Sequence, residues 1–138
     1  MFLSNMIDLE EKICYTFTNK QYRDQVLSIA ELRKAEVYKK RKFRILAIYG
    51  DIILRFAAWE HLECNNDAAT LFKEDKKTFK KEINDKISEK IANDNLEQIA
   101  AKMKLALTSD GVEAVIGAIW KDSDFENAKK FANMMLEI

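Results

Sequence analysis

The sequence predicts an all-α domain, and three features of its composition lead to that prediction. The 138 residues include no proline and only three glycines, so tight β-turns would have few of the residues that favour them. Apolar residues make up 48% of the chain, which is enough for a folded core. Many of them recur three or four positions apart, the spacing of one helix face. We therefore expect one helical domain that spans residues 1–138.

Capping residues and apolar stripes divide the chain into successive helices. The most apolar one is predicted at about Phe43–Leu62, and because it is apolar on nearly all sides we expect it to be central and buried. A second strongly apolar helix begins at Ser109 or Asp110. The other predictions are helices capped by Ser4 or Asp8 and by Asn19, helices at about Lys73–Lys90 and Leu96–Leu107, a turn at Asn65–Asp67, a break or cap at Asn93–Asn95, and a last helix after Ser123-Asp124.

Charge and residue counts exclude several functional classes. The net charge is zero, so a nucleic-acid-binding surface would have to be local. No apolar run is long enough to span a membrane, and the first residues do not resemble a signal peptide, so we expect an intracellular protein. Cys14 and Cys64 lack metal-ligand spacing and are predicted to be free thiols. His61 is the only histidine, which argues against catalytic triads and histidine-based zinc sites.

Three acidic residues stand in the two most apolar helices, where a carboxylate is costly unless it is compensated. Asp51 lies in FRILAIYGDIIL, and Asp110 and Glu113 lie in SDGVEAVIGAIW. Residues three apart share one helix face, and Gly50 allows another backbone or a ligand to come close beside Asp51. If the two helices cross here, the carboxylates form an all-oxygen site that suits Mg²⁺ or Mn²⁺. Such an ion can activate water and stabilise charge on a phosphoryl group.

A purely structural interpretation of the same acids is also open. Asp110 could be an N-cap with Glu113 as its capping-box partner. Asp51 could be an ion-paired acid in the core. Spacing alone does not decide between the two interpretations.

The sequence around these acids resembles the ribonuclease III family of endonucleases. Residues 44–54, RILAIYGDIIL, are similar to the signature helix of that family, ERLEFLGDAVL. Residues 110–122, DGVEAVIGAIWKD, are close to its second acidic helix, DALEAVIGAIYLD. Weaker similarity joins residues 10–27 to LEKKLGYTFKNKELLLQAL and residues 91–100 to LVSNETLAEIA. The resemblance therefore covers most of the chain, in order.

The resemblance implies a ribonuclease III-like helical endonuclease domain that hydrolyses phosphodiester bonds of double-stranded RNA with Mg²⁺ or Mn²⁺. It implies that Asp51, Asp110 and Glu113 are both the catalytic residues and the metal ligands. The products implied are 5′-phosphate and 3′-hydroxyl ends.

A homodimer is also implied, because the family pairs two subunits through the signature helices and cuts one strand in each centre. The candidate contacts in this chain are Ile48, Tyr49, Ile52 and Arg55, although the same residues could simply be core.

A basic cluster just before the first acidic helix is the predicted RNA-binding surface, because duplex RNA is held mainly through phosphates and 2′-hydroxyls. A solvated face is the alternative for this cluster. Its members are Lys39, Lys40, Arg41, Lys42 and Arg44.

The chain also departs from the family pattern. Ala47 stands where the signature has a glutamate, Arg44 stands where it has another acid, and a third acid of the family falls near Lys80, with Glu82 close by. The mini ribonuclease III branch has a similar alanine context, LAYMGD, beside LAIYGD at residues 46–51. The second hypothesis is therefore a catalytically degenerate relative that binds RNA or assembles with a partner. A helical protein unrelated to RNA is the third.

Overall fold

The computed structural model describes residues 9–31, 41–65, 76–105 and 107–138. Every regular element in these residues is helical, which confirms the predicted all-α class. Residues 9–13 form a short helical stretch. The longer helices of the described part are α1 (Lys20–Glu31), α2 (Arg41–Asn65), α3 (Lys76–Lys90), α4 (Asn93–Lys102), α5 (Ser109–Asp122) and α6 (Phe125–Met135). None of them is long and apolar enough to cross a membrane.

Helix α5 is the centre of the fold. Its residues from Val112 to Ile119 are buried except for Glu113, which is half-buried. It packs against α1, α2, α4 and α6, most extensively against α2. Removing this much apolar surface from water is the main favourable contribution to folding. The inward direction predicted for its valines and isoleucines is confirmed.

Helix α2 is not the fully buried helix that the sequence predicts. One face is buried, with Leu46, Ile53 and Leu54 in the core. The opposite face carries a continuous row of exposed large apolar side chains, with Ile48 61% and Ile52 57% exposed. We call this row the apolar stripe; its members are Ile45, Ile48, Ile52, Phe56 and Trp59. The all-round apolar pattern thus reflects a core face plus a second face that stays largely exposed, although Phe56 at one end of it packs edge-to-face against Phe125.

Two glycines allow α2 and α5 to touch backbone to backbone. A side chain at Gly50 would overlap the carbonyl group of Glu113, and one at Gly117 would overlap the carbonyl group of Leu46. Only glycine lets two helices approach this closely. This crossing brings Asp51, the residue after Gly50, beside the first turns of α5.

Most predicted helix boundaries agree with the structure, and two do not. The Asn19 side chain accepts a hydrogen bond from the Gln21 backbone N–H at the start of α1, and Asp124 caps α6. The break or cap predicted at Asn93–Asn95 is displaced: the chain leaves the helix at residues 91–92, and Asn93–Asn95 form the first turn of α4, from which Asn95 donates a side-chain hydrogen bond to the Lys90 carbonyl. Helix α4 also ends at Lys102 rather than Leu107, because Lys104 adopts a left-handed conformation that closes the helix.

Several predictions concern residues outside the described part of the chain. They are the caps at Ser4 and Asp8, the basic residues Lys39 and Lys40, and the turn residues Asn66 and Asp67. The start predicted for α3 at Lys73 also lies there. Cys14 and Cys64, predicted to be free, are both unpaired and exposed.

Candidate functional site

A cleft of about 350 Å³ lies where the first half of α2 meets the start of α5. Its walls combine apolar, acidic and basic side chains. The lining residues are Phe43, Arg44, Ala47, Ile48, Asp51, Ile52, Asp110 and Glu113. All three acids singled out in the sequence, from segments about 60 residues apart, therefore face one space.

The helix crossing places these acids. Gly50 lies against the backbone of Glu113, so Asp51 comes next to the Glu113 turn. Asp110 precedes Glu113 by one turn of α5 and lines the same cleft. The helix crossing therefore brings the three acids to one cleft, but not to within metal-binding distance of one another.

Neither structural alternative for the acids matches the structure. The N-cap of α5 is Thr108, whose hydroxyl accepts a hydrogen bond from the Gly111 N–H at 3.1 Å. Asp110 is therefore one position inside the helix and is not the cap. Asp51 is not a core acid either, because its side chain is 37% exposed and pairs with Arg55, 3.1 Å from Nε to Oδ2.

Glu113 is electrostatically strained within this group of acids. Burial is the largest cause that raises its pKa, and the negative charges of Asp51 and Asp110 add to it. The Arg55 guanidinium acts in the opposite direction, and the resulting pKa is about 7. Near neutral pH the site therefore holds a proton that a bound cation could replace.

The donor set fits a hard divalent cation by its chemistry. Three carboxylates offer oxygen ligands of the type that Mg²⁺ and Mn²⁺ prefer. In the described residues, however, no three His, Cys, Asp or Glu side chains already lie close enough together to hold a metal ion. A cation would need these three side chains closer together than they lie in this structure. After burial, the repulsion by Asp51 and Asp110 is the next cause of the raised pKa of Glu113, and a bound cation would relieve that repulsion.

The position of the missing acid is visible in the cleft. Ala47 lines it one turn before Asp51 and contributes only a methyl group. Glu82, the neighbour considered as a substitute, is exposed on α3 and does not line the cleft.

Basic side chains border the acids on one side. Arg44 lines the cleft, and Arg41 and Lys42 are exposed on the preceding turn. Arg44 makes no ion pair with another described residue. The structure therefore separates Arg44 from the rest of the predicted basic cluster, because it alone of the described members lines the cleft.

Arg55 is the site residue whose role was missed from the sequence. It is named there only as a candidate dimer contact, whereas in the structure it pairs with Asp51. The signal was available, because an acid followed by arginine four positions later places opposite charges on one helix face.

Comparison of the chain with protein-family models, curated proteins and solved structures finds no match.

The raised pKa of Glu113 predicts a pH-dependent stability. The folded state binds the proton more tightly than the unfolded chain, so this stabilisation is complete below the ordinary pKa of 4.5 and is lost as pH rises through about 7. Glu113→Gln should therefore be more stable than the wild type above pH 7 without divalent cations, by about 1–2 kcal/mol after allowance for solvent screening. Urea unfolding at several pH values checks this.

The control for that measurement is Glu82→Gln, which removes one exposed carboxylate outside the cleft. If Glu113→Gln and the wild type keep a constant difference in unfolding free energy from pH 5 to pH 9, the electrostatic description of the cleft is wrong.

Proposed function

We propose that this chain is a divalent-cation-dependent endonuclease of double-stranded RNA, of the ribonuclease III type, that works as a homodimer. The observation that carries the proposal is the cleft itself: Asp51, Asp110 and Glu113 line it together, with Arg44 beside them. Carboxylates can bind a divalent cation and a guanidinium can bind a phosphate, and both interactions serve the hydrolysis of a phosphodiester.

Each charged residue of the cleft would have a distinct role in this reaction. Asp51, Asp110 and Glu113 would hold Mg²⁺ or Mn²⁺, which when bound supplies a hydroxide nucleophile and charge stabilisation at the phosphate. Arg44, two turns before Asp51 on α2, would orient the scissile phosphate. Glu113, with its pKa near 7, would exchange its proton for the cation at neutral pH.

Outside the cleft, the exposed start of α2 would contact the RNA. Arg41 and Lys42 are exposed there, one turn from Arg44. A line of cations that leads into a cleft suits the phosphate backbone of a duplex, which is recognised by shape and charge.

The homodimer is supported by the apolar stripe. The stripe borders the cleft, since Ile48 and Ile52 belong to both, and these two side chains are more than half exposed. Successive stripe residues are three or four positions apart, so they form one seam along α2. Exposed Arg41 and Glu63 lie at its two ends. An antiparallel pair of α2 helices would bury the seam and set Arg41 of one copy against Glu63 of the other.

A second function is favoured by two other observations: a binding or assembly module without catalysis. Ala47 lines the cleft at the position where the ribonuclease III signature has a glutamate, so the cleft has one carboxylate fewer than that pattern. Arg55 also neutralises part of the charge of Asp51. In this alternative the cleft and the basic residues hold RNA, or the stripe pairs with a different chain, and no bond is cut.

A cleavage assay separates the two functions. Purified chain is incubated with a labelled RNA duplex and Mg²⁺ or Mn²⁺, beside Asp51→Asn and the control Asp85→Asn, an exposed acid on α3. We expect staggered, metal-dependent cuts that Asp51→Asn reduces by at least about 100-fold, since a metal ligand contributes several kcal/mol. Asp85→Asn should cut like the wild type.

The other outcomes are also informative. Duplex binding without cleavage in any metal favours the assembly module. No binding at low salt, where phosphate contacts are strongest, contradicts a role with RNA altogether.

A further inference from the structure

Arg55 is the only basic side chain of the described part that forms an ion pair with one of the three cleft acids. It lies one turn after Asp51 on α2, and its Nε is 3.1 Å from Asp51 Oδ2. Its positive charge also reaches Glu113, whose pKa it lowers against the effect of the other acids. One guanidinium thus acts on two of the three proposed cation ligands.

We propose that Arg55 is a built-in counter-ion of the cleft, which holds Asp51 in the cation-free protein and must release it when a divalent cation binds. The proposal rests on the proposed cation site and adds to it a residue that sets how much cation is needed. It gives Arg55 a regulatory role that is separate from contact with the RNA.

Charge favours this competition at both oxygens of Asp51, and geometry adds to it at Oδ2, the oxygen that Arg55 contacts. An oxygen that accepts a hydrogen bond from a guanidinium is poorly placed to bind a small cation at about 2.1 Å. A divalent ion in the cleft would also repel the nearby guanidinium. Asp51 therefore cannot interact at full strength with the Arg55 guanidinium and with a divalent cation at the same time.

The ion pair between Arg55 and Asp51 can break at little cost. The Arg55 side chain is 54% exposed, so the guanidinium can turn into water when it leaves Asp51. Exposed pairs four positions apart on a helix are weak, about 0.3–0.5 kcal/mol. Release is therefore easy, and Arg55 shifts the cation affinity of the site without blocking it.

Ala47 makes this shift matter more. The cleft has three carboxylates and no fourth at Ala47, so partial neutralisation of Asp51 by Arg55 affects one of only three anionic groups. Cation occupancy, and with it the activity proposed above, should depend strongly on the free cation concentration.

The test is a calorimetric titration of the RNA-free protein with Mn²⁺ alone. Arg55→Gln removes the charge, Arg55→Lys keeps it, and Lys102→Gln is the matched control, because it removes an exposed cation paired with Glu137 outside the cleft. We expect Arg55→Gln to bind Mn²⁺ roughly three- to tenfold more tightly than the wild type, about twofold because the ion pair with Asp51 is lost and the rest because the guanidinium no longer repels the divalent ion. Arg55→Lys and Lys102→Gln should stay within about twofold of the wild type.

Each contrary result has a distinct meaning. Equal or weaker Mn²⁺ binding by Arg55→Gln, with measurable binding by the wild type, overturns the role of Arg55 and leaves the cation site standing. A gain in Arg55→Lys as large as in Arg55→Gln also overturns it, because the charge would not be the cause. No binding by any of the proteins overturns the cation site and the role of Arg55 together.

Discussion

Gly50→Ala is expected to destabilise the protein strongly, like Gly117→Ala and unlike Gly111→Ala. The added Cβ would overlap the backbone carbonyl of Glu113, and a backbone cannot turn aside as a flexible side chain can. Helices α2 and α5 would have to separate along the largest helix–helix contact of the fold. We expect a loss of about 3 kcal/mol or more in the free energy of unfolding.

Urea unfolding followed by circular dichroism measures this loss, and the chain supplies both a replicate and a control. Gly117→Ala should behave like Gly50→Ala, because its Cβ would overlap the Leu46 carbonyl. Gly111→Ala should be close to neutral, because its nearest neighbour is the Leu107 side chain at 3.3 Å and alanine favours the helix. If all three variants unfold alike, the close crossing of α2 and α5 is wrong.

The same crossing determines the cleft, so partial separation of the helices should have a functional consequence. A Gly50→Ala protein that still folds in mild conditions should bind Mn²⁺ more weakly, because Asp51 moves away from Glu113. Stability and cation binding would then change together through one contact.

Ile52→Asp is expected to convert a dimer into a monomer. Ile52 is 57% exposed and lies at the middle of the apolar stripe. Around a two-fold axis at this point, each copy would place a charge in the most desolvated part of the interface. We expect self-association to weaken by at least about 100-fold, as for the loss of an interface hot spot. Folding should change little, because the side chain is exposed in the single chain.

Sedimentation equilibrium at several concentrations measures the effect. The control is Ile138→Asp, which changes another exposed isoleucine, 38% accessible, that is not part of the stripe. It should remain a dimer like the wild type. A wild-type chain that stays monomeric at every concentration would contradict the homodimer. The apolar stripe would then not be covered by a second copy of the chain.

The helices and the placement of the three acids at one helix crossing were predictable from the sequence because they depend largely on local patterns. The spacing of Asp110 and Glu113 on one face, and the glycine before Asp51, required only helix geometry. The inward positions of Ile83, Ile87 and Ile91 follow from the same rule and are confirmed.

What could not be predicted depends on contacts between distant segments. Asp122, at the end of α5, accepts hydrogen bonds from the Tyr15 hydroxyl and from the backbone N–H groups of Thr18 and Asn19. Partners more than 100 residues away leave no local pattern in the sequence. The end of α4 was also missed, because lysine is an unusual residue for the left-handed position that Lys104 occupies.

The exposed face of α2 was misjudged for a physical reason. Ile48 and Ile52 are as apolar as core residues, and a single sequence does not distinguish a face buried inside one chain from one available to a second. Only the structure, in which the opposite face of α2 packs against α5, shows that Ile48 and Ile52 lie on the exposed face.

The central claim is that Asp51, Asp110 and Glu113 share one cation. Crystals of the protein grown with Mn²⁺ and measured near the manganese absorption edge test it most directly. We predict one strong anomalous peak in the cleft, about 2.0–2.3 Å from a carboxylate oxygen of each of the three acids, absent from Asp51→Asn crystals grown in the same way. Well-ordered acids with no anomalous peak between them, at saturating Mn²⁺, would contradict the account.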